Sequence, residues 1–483
     1  MKIRKEHIHQ VSPYLWEIPK SFRPGKMHVP ARIMASEKLL DDIIEDRSLS
    51  QLVNVASLPG IQIASMVMPD VHEGYGFPIG GVAATVFPGG AISPGGIGYD
   101  INCGVRLLIS KQELEDVKPN LEELSKELYK QIPSGMGKGG QIQLSSEELN
   151  RVLEQGAEWA VENGYGVRED LKYIESNGKL EAADSLFVSE MAKKRGMDQL
   201  GTIGSGNHFV EVDYVEEVLD KRVARAFNLY ANQIVILIHT GSRGLGHQVA
   251  TDYIREFIAA MKKYEYDLPD RELASVPFNS TEGQAYYKAM CAAANYAWCN
   301  REIVSHEVRI AWQNIFGLNA PSLHLLYDVA HNIAKIETHK VAGEERKFIV
   351  HRKGATRAFG PGSPEIPERY QSVGQPVIIP GSMGTCSYVL AGTTNSSEIS
   401  FGSCCHGAGR RLSRTASKKL VNAPALKEKL KEQGVYIEAG SFKGIAEEAP
   451  LAYKDVNLVV ETIQQLGIAM PVAKLRPLVV IKG

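Results

Sequence analysis

Residues 59–106 set the first limit on the fold. Pro59-Gly60, Pro69, Gly74, Gly76, Gly80-Gly81, Pro88-Gly89-Gly90 and Pro94-Gly95-Gly96 punctuate the apolar runs there, so stretches such as 61–68 and 81–87 stay short. Proline removes a backbone donor and glycine admits tight turns. The segment therefore predicts short strands joined by tightly turned loops. Loops of that kind commonly hold polar groups over a rigid sheet.

Elsewhere the period changes. Within 27–49, Leu39, Leu40, Ile43 and Ile44 group on one face of a helix opened by Ser36. Leu121, Leu124, Leu128 and Ile132 follow the helical period over 120–132. Further helices are expected after 147, over 182–195 and, unbroken by proline, over 283–314. Two apolar runs, 233–238 and 376–379, read as buried strands, each followed at once by a polar, glycine-bearing loop. Lys138-Gly139-Gly140 onward to Ser146 reads as a loop, and 354–370, with its three glycines and three prolines, as a surface or substrate-side loop. No internal repeat or linker interrupts the pattern. Residues 1–483 therefore read as one large mixed α/β catalytic domain, a sheet core with surrounding helices and no internal boundary.

Charge narrows the function classes. Lysine plus arginine, 54, nearly balances aspartate plus glutamate, 56, for a net charge of -2. That argues against a nonspecific basic coat for duplex DNA, while an RNA enzyme with its positive charge confined to one cleft stays open. The six cysteines form no Cys-x-x-Cys pair, and Cys404 and Cys405 are adjacent, an awkward geometry for a mutual disulfide. A reduced, soluble, cytoplasmic protein is the expectation, with no signal-type or membrane-spanning apolar run.

Metal chemistry is suggested by a scattered donor set. Asp100-Ile101-Asn102-Cys103 places a carboxylate and a thiol three positions apart in a glycine-rich turn. His208 lies in Gly204-Ser205-Gly206-Asn207-His208, His239 ends the 233–238 run, and His331 follows Asp328-Val329-Ala330. Soft thiolate, hard carboxylate and imidazole together suit manganese, zinc, iron or nickel, and the thiolate or a carboxylate could bridge two ions. Singly, Cys103 is equally a small buried hydrophobe and Asp100 a turn former. The 328–331 spacing fits a helix, on which Asp328 would orient the His331 ring or simply favour the first turn. Gly241-Ser242-Arg243-Gly244-Leu245-Gly246 has the wrong spacing for a dinucleotide fingerprint, and no Walker loop occurs.

His406 precedes Gly407-Ala408-Gly409-Arg410, with Arg411 and Arg414 following. Imidazole can attack an activated phosphoryl group and so split a transfer into two steps. Arginine would neutralise the transferring group while glycine lets backbone approach. The alternative is an anion-binding helix N-terminus with no covalent role. Pro380-Gly381-Ser382-Met383-Gly384-Thr385-Cys386-Ser387, just after a predicted strand, is a second phosphate cradle or an ordinary tight turn.

These segments, together with Pro69-Asp70-Val71-His72-Glu73-Gly74-Tyr75-Gly76 and Ala452-Tyr453-Lys454-Asp455, resemble the RtcB family of RNA-splicing ligases over essentially the whole chain. The resemblance implies manganese- and GTP-dependent joining of an RNA 3'-phosphate or 2',3'-cyclic phosphate to a 5'-hydroxyl. It implies Cys103 as a thiolate shared by two manganese ions, Asp100 and His208 on one ion, and His239 and His331 on the other. His406 matches the histidine that becomes guanylylated, with Asp70 near the ligation centre and Arg410 among the catalytic groups. Asn207, Phe209, Glu211, His331, Asn332, Ser382, Ser387, His406, Gly409, Tyr453 and Lys482 match positions around the guanylate. The implied partners are RNA, such as tRNA exon halves or cleaved transcripts, and archease as activator; apart from the resemblance, a monomer is the expectation for the oligomeric state. Two departures stand out: Cys404, where threonine is more usual, and Asn457, where an acidic residue is. Two rival functions remain at this level, a manganese phosphoesterase acting on RNA ends without GTP, and a catalytically idle RNA-binding component.

Overall fold

The computed structural model describes residues 3–135, 137 and 139–483. Lys138, assigned from sequence to a loop, lies outside the described residues. Two large sheets organise the chain. One has eight strands, seven of them in the order His324–Ala330, Gly104–Glu113, Gln233–Thr240, Phe209–Val218, Ala469–Lys482, Ser387–Gly392, Pro376–Ile379, with Tyr436–Ala439 added in parallel alongside Ala469–Lys482. The other has seven, in the order His9–Ser12, Leu15–Ile18, Ala31–Met34, Ser65–His72, Ile79–Val86, Glu344–Lys353, Asn332–Val341. The fold is mixed α/β, as the sequence predicts.

Period-two alternation explains how the eight-stranded sheet is covered. Val105, Leu107, Val235 and Leu237 face one core with Phe227, Tyr327 and Tyr370. Leu108, Ile234, Ile236 and Ile238 face the opposite core, against the helix Thr281–Phe316 and its Tyr296 and Trp298. That helix is capped by Ser280, whose hydroxyl accepts the Gly283 N–H at 3.0 Å. Its buried side also carries Asn295, Asn300, Arg301 and Glu302, all fully enclosed. No helix among the described residues is long and apolar enough to cross a membrane.

Local caps fix most predicted helices. Ser36 caps Glu37–Ile44, and Ser145 caps Ser146–Gln155 while Glu148 returns the bond to the Ser145 N–H at 2.9 Å. The 120–132 periodicity becomes the helix Leu121–Gln131. Three expectations are corrected. The helix over 182–195 divides into a 3-10 turn Ser185–Phe187 and a helix Glu190–Gly196, because Asp184 and Ser189 each cap a separate start. Residues 354–360 are not surface: Ala355–Arg357 is a buried strand paired with Ser403–Cys405. Asp328 lies inside the strand His324–Ala330, so no helical turn joins it to His331.

His331 marks a crossing. It stands between the last residue of the His324–Ala330 strand in the larger sheet and the first of Asn332–Val341 in the smaller. The candidate active site lies along that seam.

Candidate active site

Strand register gathers the metal donors. Cys103 immediately precedes Gly104–Glu113, whose Val105 pairs with His239, which in turn pairs with Phe209, next to His208. On the other flank Gly104 pairs with Ala330, next to His331. Four neighbouring antiparallel strands therefore deliver Cys103, His208, His239 and His331 to one end of the sheet. Gly104 cannot be larger, since a Cβ there would lie 2.5 Å from the Val329 carbonyl oxygen. The Asp100–Cys103 turn is pinned by Asn102, at φ 53, whose side chain donates to the Ala294 carbonyl at 2.6 Å.

The donor atoms converge. Cys103 Sγ lies 3.3 Å from Nε2 of both His208 and His239, and the His239 and His331 Nε2 atoms are 3.0 Å apart. Asp100 Oδ2 is 2.8 Å from His208 Nε2. Two overlapping groups result, Asp100–Cys103–His208 and Cys103–His239–His331, each with donor atoms within 4.8 Å of one another. Cys103 belongs to both.

Electrostatics suit a cation here. Burial, then the neighbouring His208 and His406, keeps His239 well below the ordinary histidine range, and burial with His406 and His239 does the same for His331. Both rings therefore hold neutral lone pairs, and two such nitrogens facing each other at 3.0 Å need a shared proton or a metal between them. Burial would raise Asp100, but His208, the Cys103 contact and Arg243 hold it down to about 2, so it is a carboxylate. Burial and then Asp100 push the Cys103 thiol well up, a penalty that a bound cation would reverse. The donor set fits one or two divalent ions.

The second element of the site is His406. The Ala355–Cys405 register sets it beside His331, ring centroids 4.6 Å apart. No helix begins at His406, which follows a strand and enters a turn. That corrects the helix-terminus alternative, since the next helix, Arg414–Leu420, is capped by Ser413. Gly354, at φ +64, permits the approach, because a Cβ would sit 2.4 Å from Ile79 Cγ2 and 3.1 Å from His406 Cε1. Asp70 is fully buried and accepts from the His406 ring Nδ1 at 2.6 Å and from its backbone N–H at 3.1 Å. Lys454 braces the Asp70 strand by donating to the Pro69 carbonyl at 3.1 Å and the Val71 carbonyl at 2.5 Å. Cys404 and Cys405 are both fully buried beside it.

A cavity of about 670 Å³ opens over both elements. Of the sequence-derived residues, Asp100, Cys103, His239, His331, Asn332 and His406 line it, as do Asn207, Phe209, Glu211, Ser382, Gly409, Arg410, Tyr453 and Lys482. Pairing of Lys482 with Phe209 brings the ammonium 5.4 Å from the aromatic ring centre. Arg410 donates to Glu448 at 3.0 Å and to the Glu447 carbonyl at 2.7 Å, with its guanidinium 5.1 Å from the Tyr453 ring centre. Tyr453 also donates to Glu448. Asn332 joins the two elements, donating to the Asp100 carbonyl at 3.0 Å and accepting from the Gly354 N–H at 2.9 Å. Asp70, His208 and Ser387 are outside the lining. Ser387 is buried and accepts the Gly381 N–H at 3.0 Å, shaping the loop from behind.

Several site residues escaped the sequence reading. Lys353 lines the cavity, donates to the Tyr75 carbonyl at 2.6 Å and is lowered to about 7 by burial. Its signal was three charged or polar residues, 351–353, directly after the apolar 348–350. Glu448, His72, Tyr75 and Tyr99 also line the cavity. Asp328, proposed as the His331 partner, instead binds Arg106 and Arg301.

A family model described as tRNA-splicing ligase RtcB matches residues 51–483. The chain is 53% identical to the tRNA-splicing ligase RtcB of Archaeoglobus fulgidus over 478 residues, 99% of each chain. It is 51% identical to that of Thermococcus kodakarensis over 99% of each. The RNA-splicing ligase RtcB homolog 1 of Entamoeba histolytica is 50% identical over 438 residues, 90% of this chain and 83% of that one. By these matches the chain belongs to the RtcB family.

Proposed function

We propose that this protein is a GTP- and manganese-dependent RNA ligase that joins 3'-phosphate or 2',3'-cyclic phosphate ends to 5'-hydroxyl ends through a histidine–GMP intermediate. The observation that carries the reading is the 2.6 Å contact of Asp70 with His406 Nδ1, beside the Cys103 donor cluster. Asp70, accepting from the His406 ring at 2.6 Å, places the proton on Nδ1 and leaves the Nε2 lone pair free to attack. Manganese bound by Asp100, Cys103, His208, His239 and His331 would supply Lewis-acid stabilisation of charge on the phosphates.

His406 Nε2 forms a bond to the α-phosphorus of GTP as the bond to pyrophosphate breaks. An oxygen of the RNA 3'-phosphate then takes the guanylate from His406, and the 5'-hydroxyl attacks the activated phosphate and expels GMP. Phe209 and Lys482 offer a flat face and a cation for the guanylate, with Ser382, Asn207 and Gly409 beside them. Glu211 lines the cavity and offers a carboxyl oxygen to guanine N–H groups. Arg410 is held by Glu448, Tyr453 and the carbonyls of Glu447 and Leu412, so its positive charge is fixed beside the cavity before ligand arrives.

The relatives' name, tRNA-splicing ligase, supports tRNA as the substrate; we take the substrate to be exon halves and the place of action to be the cytoplasm. Archease as activator and a monomeric state complete the proposal. Incubation of RNA 3'-phosphate and 5'-hydroxyl strands with enzyme tests it directly. Joined product that requires both GTP and manganese is expected; opening of cyclic ends without GTP and without joining would favour the phosphoesterase.

A further inference from the structure

Tyr75, Tyr99 and His247 form an unbroken run of rings leading out of the cavity. Tyr75 and Tyr99 line it, Tyr99 directly preceding Asp100, with ring centroids 5.3 Å apart and edge-on. Tyr99 stacks on His247, centroids 4.8 Å apart and planes 23° from parallel. His247 is exposed on the helix Arg243–Ala260 and is not part of the lining. The stack therefore starts half-buried beside the reaction centre and ends at open surface.

A cation lies alongside. The Arg195 side chain crosses the first turn of that helix, its Nε 3.3 Å from where a Gly244 Cβ would be, and Nη1 donates to Gln248 at 3.0 Å. Lys194, also exposed, precedes it. Ring faces beside a guanidinium are the combination that holds unpaired nucleotides: bases stack on the rings, and the cation meets the backbone phosphate. Ring faces read no base edge, so the grip is indifferent to sequence.

We infer that Tyr75, Tyr99 and His247, flanked by Arg195, form a stacking platform for an unpaired nucleotide of the RNA strand entering the cavity. The inference rests on the proposed action on RNA ends. Either strand at the junction could supply the base, the one ending in a 3'-phosphate or the one starting with a 5'-hydroxyl.

The test uses full-length protein and RNA oligonucleotides carrying 2-aminopurine at the last nucleotide of the 3'-phosphate strand or at the first of the 5'-hydroxyl strand. Stacking quenches this base, and anisotropy of a distal dye reads total binding in the same tube. Quenching is expected in one arm, which identifies the strand. His247→Ala should abolish it and weaken binding roughly 5- to 100-fold, while His247→Phe keeps both. RNA bound equally well by wild type and His247→Ala, with no quenching in either arm, overturns the platform and leaves the ligase reading standing. RNA not bound by wild type at all overturns both.

Discussion

Arg301 and Asp328, both fully buried, are joined by two parallel hydrogen bonds, Nε to Oδ2 at 2.8 Å and Nη2 to Oδ1 at 2.9 Å. Through Nη1 the same guanidinium donates to the carbonyls of Asn102 at 2.7 Å and Thr240 at 2.9 Å, so it grips the Cys103 turn and the strand end beyond His239 together. Arg106 adds a third bond to Asp328 at 2.8 Å. Removing one partner leaves an uncompensated buried charge, which costs about 3–5 kcal/mol. Asp328→Asn should therefore lose about that much in denaturant unfolding, and a loss below about 1 kcal/mol would show that the network is not holding the turn.

Metal stoichiometry tests the proposed sharing of Cys103. With Cys103 in both donor groups, Cys103→Ala should lose both manganese ions, whereas His208→Ala and His331→Ala should each lose one. Elemental analysis after dialysis against manganese reads the result. Equal retention in Cys103→Ala and wild type would remove Cys103 from the set.

In the proposed reaction Asp70 acts through the His406 tautomer. Asp70→Asn keeps the shape but no longer fixes the proton on Nδ1, so the rate of guanylylation should fall roughly 10²- to 10⁴-fold with the fold intact by circular dichroism. A rate within a factor of about three of wild type would show that the contact only positions the ring.

Burial lowers Lys454 from 10.5 to about 8, against the opposing pull of Asp70, Asp46 and Asp42. The unfolded chain binds more protons between those values, so stability rises with pH across that window and is lost as pH falls through about 8. Relative to Lys454→Met, wild type should gain about 2 kcal/mol between pH 7.5 and 10, read by urea unfolding at both. A constant difference would mean that the ammonium is well solvated.

The parts of this architecture that depend on near neighbours were legible in the sequence. Ser36 caps its helix as the pattern indicates, the helices expected near 147 and 283 form with Ser145 and Ser280 as caps, and 233–238 and 376–379 are strands followed by site loops. The scattered Asp100, Cys103, His208, His239 and His331 were read as one set because their chemistry is complementary, and strand register brings them together. What failed was partner choice at long range. The 328–331 spacing mimics a helical turn, yet Asp328 finds Arg106, 222 positions away. Lys353 reaches Tyr75 across 278 positions, and nothing in its local pattern names that partner. Pairing of this kind is set by sheet order, which periodicity alone does not encode.

The central claim is that His406 is the nucleophile. Protein, manganese and α-labelled GTP, followed by denaturing electrophoresis, read it directly. The account predicts label bound covalently to wild type, released by acid as expected of a phosphoramidate, and absent from His406→Ala. An undiminished adduct in His406→Ala would contradict it.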